Sequence, residues 1–203
     1  MDATAAEIAG QVQGCRAAQA TLLAALSDLT DEQARQPSLL PGWSIGHLLT
    51  HIARNADSLV RRFEGAIRGQ VVDQYEGGPA GREAEIEAGA HRPAADLVDD
   101  VRRSSAAVDD INARMPAEAW RRMTRSVTGS ESPASHVLLS RWREVEIHHV
   151  DLGLGYTPAD WPTELMEACL PGVLATLSRR SDPAALMAWA MNRGPAPQVG
   201  SWG

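Results

Sequence analysis

The chain has 203 residues, 44% of them apolar, and a formal net charge of −7. That size allows one compact domain, or one domain with a small appendage. The acidic balance argues against a nucleic-acid binder, which needs a basic face for phosphate contacts. Every basic residue is arginine, so Schiff-base chemistry on a lysine is excluded.

Residues 3–27 place Ile8, Val12, Cys15, Ala18, Leu22, Leu23 and Leu26 at helical spacing and form a first amphipathic helix. Thr30-Asp31-Glu32-Gln33 has the capping-box pattern and opens a short helical turn. The connector 37–42 ends in the breaker pair Pro41-Gly42. Ser44 is a good N-cap for a second long helix over 45–68, which carries Leu48, Ile52, Leu59 and Phe63 on its apolar face. His47 and His51, four apart, share one side of it.

Residues 77–81 read as a loop, and a polar stretch with Arg82, Glu83, Glu85 and Glu87 follows before Gly89 and Pro93 break the chain. Leu97, Val98, Val101, Val108 and Ile111 give a third long helix over 94–115. After a short turn at 116–120 and a loop at 124–133, a fourth long helix runs over 134–152. Helices at 164–180 and 183–192 and an irregular tail complete the chain. No segment has convincing strand periodicity, and there is no internal repeat. Four long helices joined by long connections predict an all-α four-helix bundle.

Cys15 and Cys169 lie in helical patterns without a CxxC, so a disulfide framework or thiolate zinc site is not expected. There is no signal-peptide pattern, and no apolar run reaches the length of a bilayer span. The expectation is a soluble, cytoplasmic protein that engages neither membrane nor nucleic acid; its oligomeric state is open.

The fourth helix carries the chemistry. Trp142-Arg143-Glu144-Val145-Glu146-Ile147-His148-His149-Val150-Asp151-Leu152 places two acids and two histidines in an otherwise apolar pattern. Glu144 and His148, four apart, stack on one face and suit a single metal ion or a simple hydrogen-bonded pair. Glu146 and His149 form a second face, about 160–200° around the helix, so periodicity expects only one of the two pairs at the core and leaves open which. For His47 and His51 the plain alternative is a capping or surface histidine and a hydrogen-bonded core histidine. Pairs on two helices of one bundle are nevertheless the material from which facing helices assemble a metal site.

Leu40-Pro41-Gly42-Trp43-Ser44, followed by His47-Leu48-Leu49-Thr50-His51 and Asn55, resembles the second-helix motif of mycothiol-dependent maleylpyruvate isomerases, of the DinB-like superfamily. Arg143-Glu144-Val145-x-Ile147-His148-x-Val150-Asp151-Leu152 resembles their fourth-helix motif, and Arg82-x-x-Glu85-Ile86 a family element between them. The resemblance covers about residues 5–155 and implies a DinB-like metal-binding bundle over 1–155. It implies zinc ligands at His51, Glu144 and His148, with His47 a neighbour and Glu146 and His149 outside the ligand set. It further implies mycothiol or a related small thiol as cofactor, with Arg82 the candidate to hold it; the plain reading of Arg82 is a solvated surface charge. The family's usual α/β second domain does not fit the remaining length, so 156–203 is expected to be a reduced helical extension. Its Trp189-Ala190-Met191-Asn192-Arg193-Gly194, with Trp202 near the terminus, resembles the family's ending. On that resemblance Arg193 is the catalytic candidate for a substrate carboxylate or enolate; its plain role is to cap a helix C-terminus. Asp151 is expected to fix the helix end or pair with Arg143.

Three functions follow from this pattern. One is a zinc- and thiol-dependent enzyme, either an S-transferase acting on an electrophile or an isomerase. Another is a non-catalytic metal-binding bundle acting as a sensor or interaction module. The third is a metal-dependent hydrolase using zinc-bound water.

Overall fold

A computed structural model describes residues 3–200; Trp202 lies outside the described residues. The chain divides into two compact units, one ending at Trp161 and one starting at Pro162. Among the described residues no helix is long and apolar enough to cross a membrane.

In the first unit the four expected long helices are present: α1 (Ala5–Ala25), α3 (Ile45–Arg68), α5 (Ala94–Arg114) and, numbered ahead to keep chain order, α6 (Ala134–Asp151). The short α2 (Asp31–Arg35) and a helix α4 (Gly78–Gly89) lie between them. The long helices form a closed ring: α3 packs between α5 and α6, and α1 closes the other side against the same two. Leu22, Leu48, Leu49, Ile52, Phe63, Leu97, Ile111 and Leu138 fill the centre and are almost fully buried. Ser44 caps α3 as expected, accepting from the His47 backbone N–H. Thr30 does the same for α2 through Gln33.

Two departures from the sequence reading matter. The glycine-rich 77–81 stretch is not a loop throughout: Gly77 is left-handed, Pro79 sits in the first turn, and α4 runs on through the polar residues to Gly89. Of its residues only Ile86 is buried, so it has almost no apolar period to read. It packs along α3. Second, the 124–133 segment contains a small antiparallel hairpin, β1 (Met123–Arg125) with β2 (Glu131–Pro133), in which Thr124 faces Ser132. Strands of three residues are too short to show alternation.

α6 is also buried on more sides than a simple amphipathic pattern allows. It packs against α3 on one side and α1 on another, and both Glu146 and His149 are 2% exposed. Of the two acid–histidine pairs, Glu146 and His149 are thus the fully buried one, while Glu144 and His148 are only half-buried, with side chains 31% and 14% exposed. Contact with α1 is close enough that a Cβ on Gly14 would lie 2.4 Å from the Trp142 indole.

The second unit consists of α7 (Thr163–Arg180) packed on α8 (Pro183–Ala190). Asp182 caps α8 by accepting from the Ala185 N–H. The chain returns so that Gly200 donates to the Arg180 carbonyl while the Arg180 guanidinium donates to the Gly200 carbonyl.

Candidate metal centre

The first turns of α3 and the last turns of α6 meet at one end of the bundle. His51 comes from α3, and Glu144 and His148 from α6. His51 Nε2 lies 3.1 Å from His148 Nε2. Glu144 Oε2 lies 3.4 Å from His51 Nε2 and 3.3 Å from His148 Nε2. Bonds of about 2.0–2.1 Å in a tetrahedron put neighbouring ligands about 3.3 Å apart, so the donor atoms match the edges of a zinc site. Glu144 Oε2 is buried and has no aligned hydrogen-bond partner. The three donor atoms converge on one another across 3.1–3.4 Å, and the residues fit a divalent ion.

The electrostatics agree with that arrangement. Burial would raise the Glu144 pKa, but the facing His148 and His51 outweigh it and hold the carboxyl well below its usual range. Burial lowers the pKa of His51. At His148 burial works the same way, but Asp151 and Glu144 overcome it and push the imidazolium up to about 9. Asp151 Oδ2 is 2.9 Å from His148 Nδ1. Beyond the expected choice of fixing the helix end or pairing with Arg143, the carboxylate orients a histidine, as metal-site histidines commonly require. The His148-x-x-Asp151 spacing is a signal that would have found it.

Arg82 is not a solvated charge. Its Nη2 lies 3.1 Å from His51 Nδ1, and its guanidinium carbon sits 5.9 Å from the Trp43 ring centre and 6.0 Å from that of Tyr75. Trp43 also meets His51 edge-on at 5.4 Å. Asn55 accepts from the buried Arg141, whose Nη1 also donates to the Ile52 carbonyl. Sequence reasoning missed that arginine, since an arginine in a helix ordinarily reads as surface.

Glu146 and His149 belong to a separate network. Glu146 accepts from Trp142 Nε1 at 3.3 Å and from the Tyr156 hydroxyl at 2.5 Å. His149 stacks on Tyr156 with ring centres 3.9 Å apart. His47 takes the capping role of the plain reading, with its Nδ1 2.7 Å from Ser44 Oγ. In the second unit, Arg193 lies beyond the end of α8, not within a helix reaching 192. Its Nη1 donates to the carbonyls of Met191 and Asn192, which is the capping role.

The family described as mycothiol maleylpyruvate isomerase N-terminal domain matches residues 15–153. A crystal structure of the mycothiol-dependent maleylpyruvate isomerase is similar with a TM-score of 0.80 at 23% identity, over 94% of this chain and 96% of that one. A crystal structure of a histidine-to-alanine mutant of a mycothiol-dependent maleylpyruvate isomerase gives 0.79 at 24% identity, over 96% of this chain and 81% of that one. At such identities the likeness establishes a shared fold. No curated protein matches the sequence.

Proposed function

The chain belongs to the mycothiol maleylpyruvate isomerase N-terminal domain family, and we propose from that membership and the convergent cluster that it is a zinc enzyme using a small thiol of the mycothiol type. The observation that carries the reading is the set of three donor atoms 3.1–3.4 Å apart on His51, Glu144 and His148. A divalent ion held by two imidazoles and a carboxylate lowers the pKa of a bound thiol, making its sulfur a nucleophile at neutral pH. A thiol held there would supply a nucleophile for a conjugated double bond, giving isomerisation if it left after bond rotation and S-transfer if it stayed.

The protein's own residues do the positioning. Asp151 holds the His148 ring, and the Glu144 side chain, 31% exposed, leaves the cluster one side open to solvent. Arg82, beside His51, is the cation for the thiol's polar groups. The resemblance of the 189–194 ending alone supports Arg193 as a cation for a carboxylate on the electrophile, a group that a forked guanidinium binds bidentately. Cys15 is fully buried and supplies no competing nucleophile.

The test is metal analysis of the purified protein, followed by turnover of a maleylpyruvate-type electrophile with and without added mycothiol. One tightly held zinc at this cluster and strict thiol dependence are expected. Turnover that ignores the thiol would instead mean zinc-bound water and hydrolysis, and absence of any metal at the cluster would sink the enzyme reading.

A further inference from the structure

One helical turn before His51, a second set of donors converges where α3 meets the end of α4. His47 Nε2 lies 3.2 Å from Glu87 Oε2, and His91 Nε2 lies 3.7 Å from Glu87 Oε1. One donor atom from each of the three residues lies within 4.8 Å of the others. The two imidazole rings are nearly perpendicular, with centres 5.4 Å apart, and so are not stacked.

The surroundings hold this set in place. His47 Nδ1 is engaged by the helix cap, 2.7 Å from Ser44 Oγ and 3.3 Å from the Ser44 backbone nitrogen, which turns Nε2 toward Glu87. Nδ1 accepts from the Ser44 N–H here, which places the neutral ring's proton on Nε2; ligation through Nε2 would move that proton to Nδ1, where Ser44 Oγ is the acceptor within reach. The backbones are also pressed together here. A Cβ on Gly46 would lie 2.1 Å from the Ala90 carbonyl oxygen, and one on Gly89 would lie 2.5 Å from the Thr50 methyl. Two glycines therefore seat the end of α4 on the first turns of α3. A simple ion pair between His47 and the exposed Glu87 needs neither this close seating nor His91, and an exposed pair contributes little stability.

We propose that His47, Glu87 and His91 form a second divalent-metal site, distinct from His51, Glu144 and His148. Two imidazoles and a carboxylate favour a borderline ion such as Zn2+ over Mg2+ or Ca2+. An ion there clips α4 to α3. Because α4 also carries Arg82, which reaches His51, the clip fixes the arginine beside the first site. The second site stands on its own geometry and does not depend on thiol chemistry at the first.

The experiment is titration of the metal-stripped full chain with Zn2+ against a chromophoric chelator. The intact protein is expected to bind two equivalents, His91→Ala one, His148→Ala one, and the double variant none. His91 is largely exposed, so its removal leaves the fold in place, and circular dichroism checks that it does. A single equivalent in the intact protein, or two in His91→Ala, overturns the second site. If the single equivalent disappears in His148→Ala, the first site stands alone.

Discussion

Asp151 Oδ2 and His148 Nδ1, three residues apart at the end of α6, are 2.9 Å from each other. The carboxylate fixes which way the ring faces and leaves Nε2 directed at Glu144 and His51. Removing such an outer contact typically weakens metal affinity by about 10- to 100-fold. Asp151→Asn should therefore lower zinc affinity by that order, measured by competition with a chelator, while leaving helix content unchanged. Unchanged affinity would show that packing alone holds His148.

His148 and His149 are neighbours in sequence with different surroundings. His148→Ala, Glu144→Ala and His51→Ala should each deplete zinc at the first site. His149→Ala should retain it and instead lose the stack on Tyr156, with a modest fall in melting temperature. Metal content by mass spectrometry settles the matter; depletion in His149→Ala alone would move the site by one register.

Much of this site was readable in the sequence because its determinants are local. The i,i+4 spacing of Glu144 and His148 and the Ser44 cap are properties of single helices, and the long apolar periods place α3 and α6. Choosing between Glu144–His148 and Glu146–His149 was not possible from periodicity, because α6 is enclosed by both α1 and α3 and the pair outside the metal cluster is the more deeply buried one. α4 was hidden for the opposite reason: its surface is so polar that burial leaves almost no trace in its pattern. The Arg82–His51 contact and the placing of Glu87 beside His47 depend on that helix, so neither was visible beforehand.

Gly14 measures how closely α1 approaches α6. A Cβ there would lie 2.4 Å from Trp142 Cζ2, and the indole is held in turn by its bond to Glu146. Overpacking of this kind costs about 1–3 kcal/mol. Gly14→Ala should lower the melting temperature by several degrees, while Gly10→Ala, where a Cβ meets nothing within 4 Å, should leave it unchanged or raised. Equal effects at the two positions would count against the close contact.

Cys15 carries a pH signature. Burial, opposed by Arg141 and reinforced by Asp109 and Glu146, pushes its thiol from 9.0 up to about 11. The folded state therefore retains a proton that the unfolded chain releases, so this group leaves stability unchanged below about pH 9 and reduces it as pH rises toward 11. In a Cys169→Ser background, a thiol reagent should label the protein at pH 8 only after denaturation. The urea midpoint should fall between pH 9 and 10.5, and Cys15→Ala should lessen that fall. Rapid labelling of the folded protein at pH 8 would contradict the burial.

The two arginines should separate in kinetics. A guanidinium only donates hydrogen bonds, so Arg82 Nη2 at 3.1 Å makes His51 Nδ1 an acceptor and places the neutral ring's proton on Nε2. A ring that gives Nε2 to a metal carries that proton on Nδ1 instead and can no longer accept from Arg82. Metal loading is therefore expected to turn the guanidinium away from His51, freeing it for the thiol's polar groups beside Trp43 and Tyr75. Arg82→Ala should raise KM for the thiol about tenfold or more, with zinc content intact, and Arg82→Lys should recover part of the loss. Arg193→Ala, if Arg193 binds the electrophile's carboxylate, should act on the electrophile and leave the thiol KM alone. A charged-to-neutral analogue of the electrophile should lose its advantage in that variant only. If Arg193→Ala changes neither parameter, its bonds to the Met191 and Asn192 carbonyls are its whole role, and another group binds the electrophile. An Arg82→Ala protein that loses zinc instead of thiol affinity would make Arg82 a support for His51 in the metal-bound state as well.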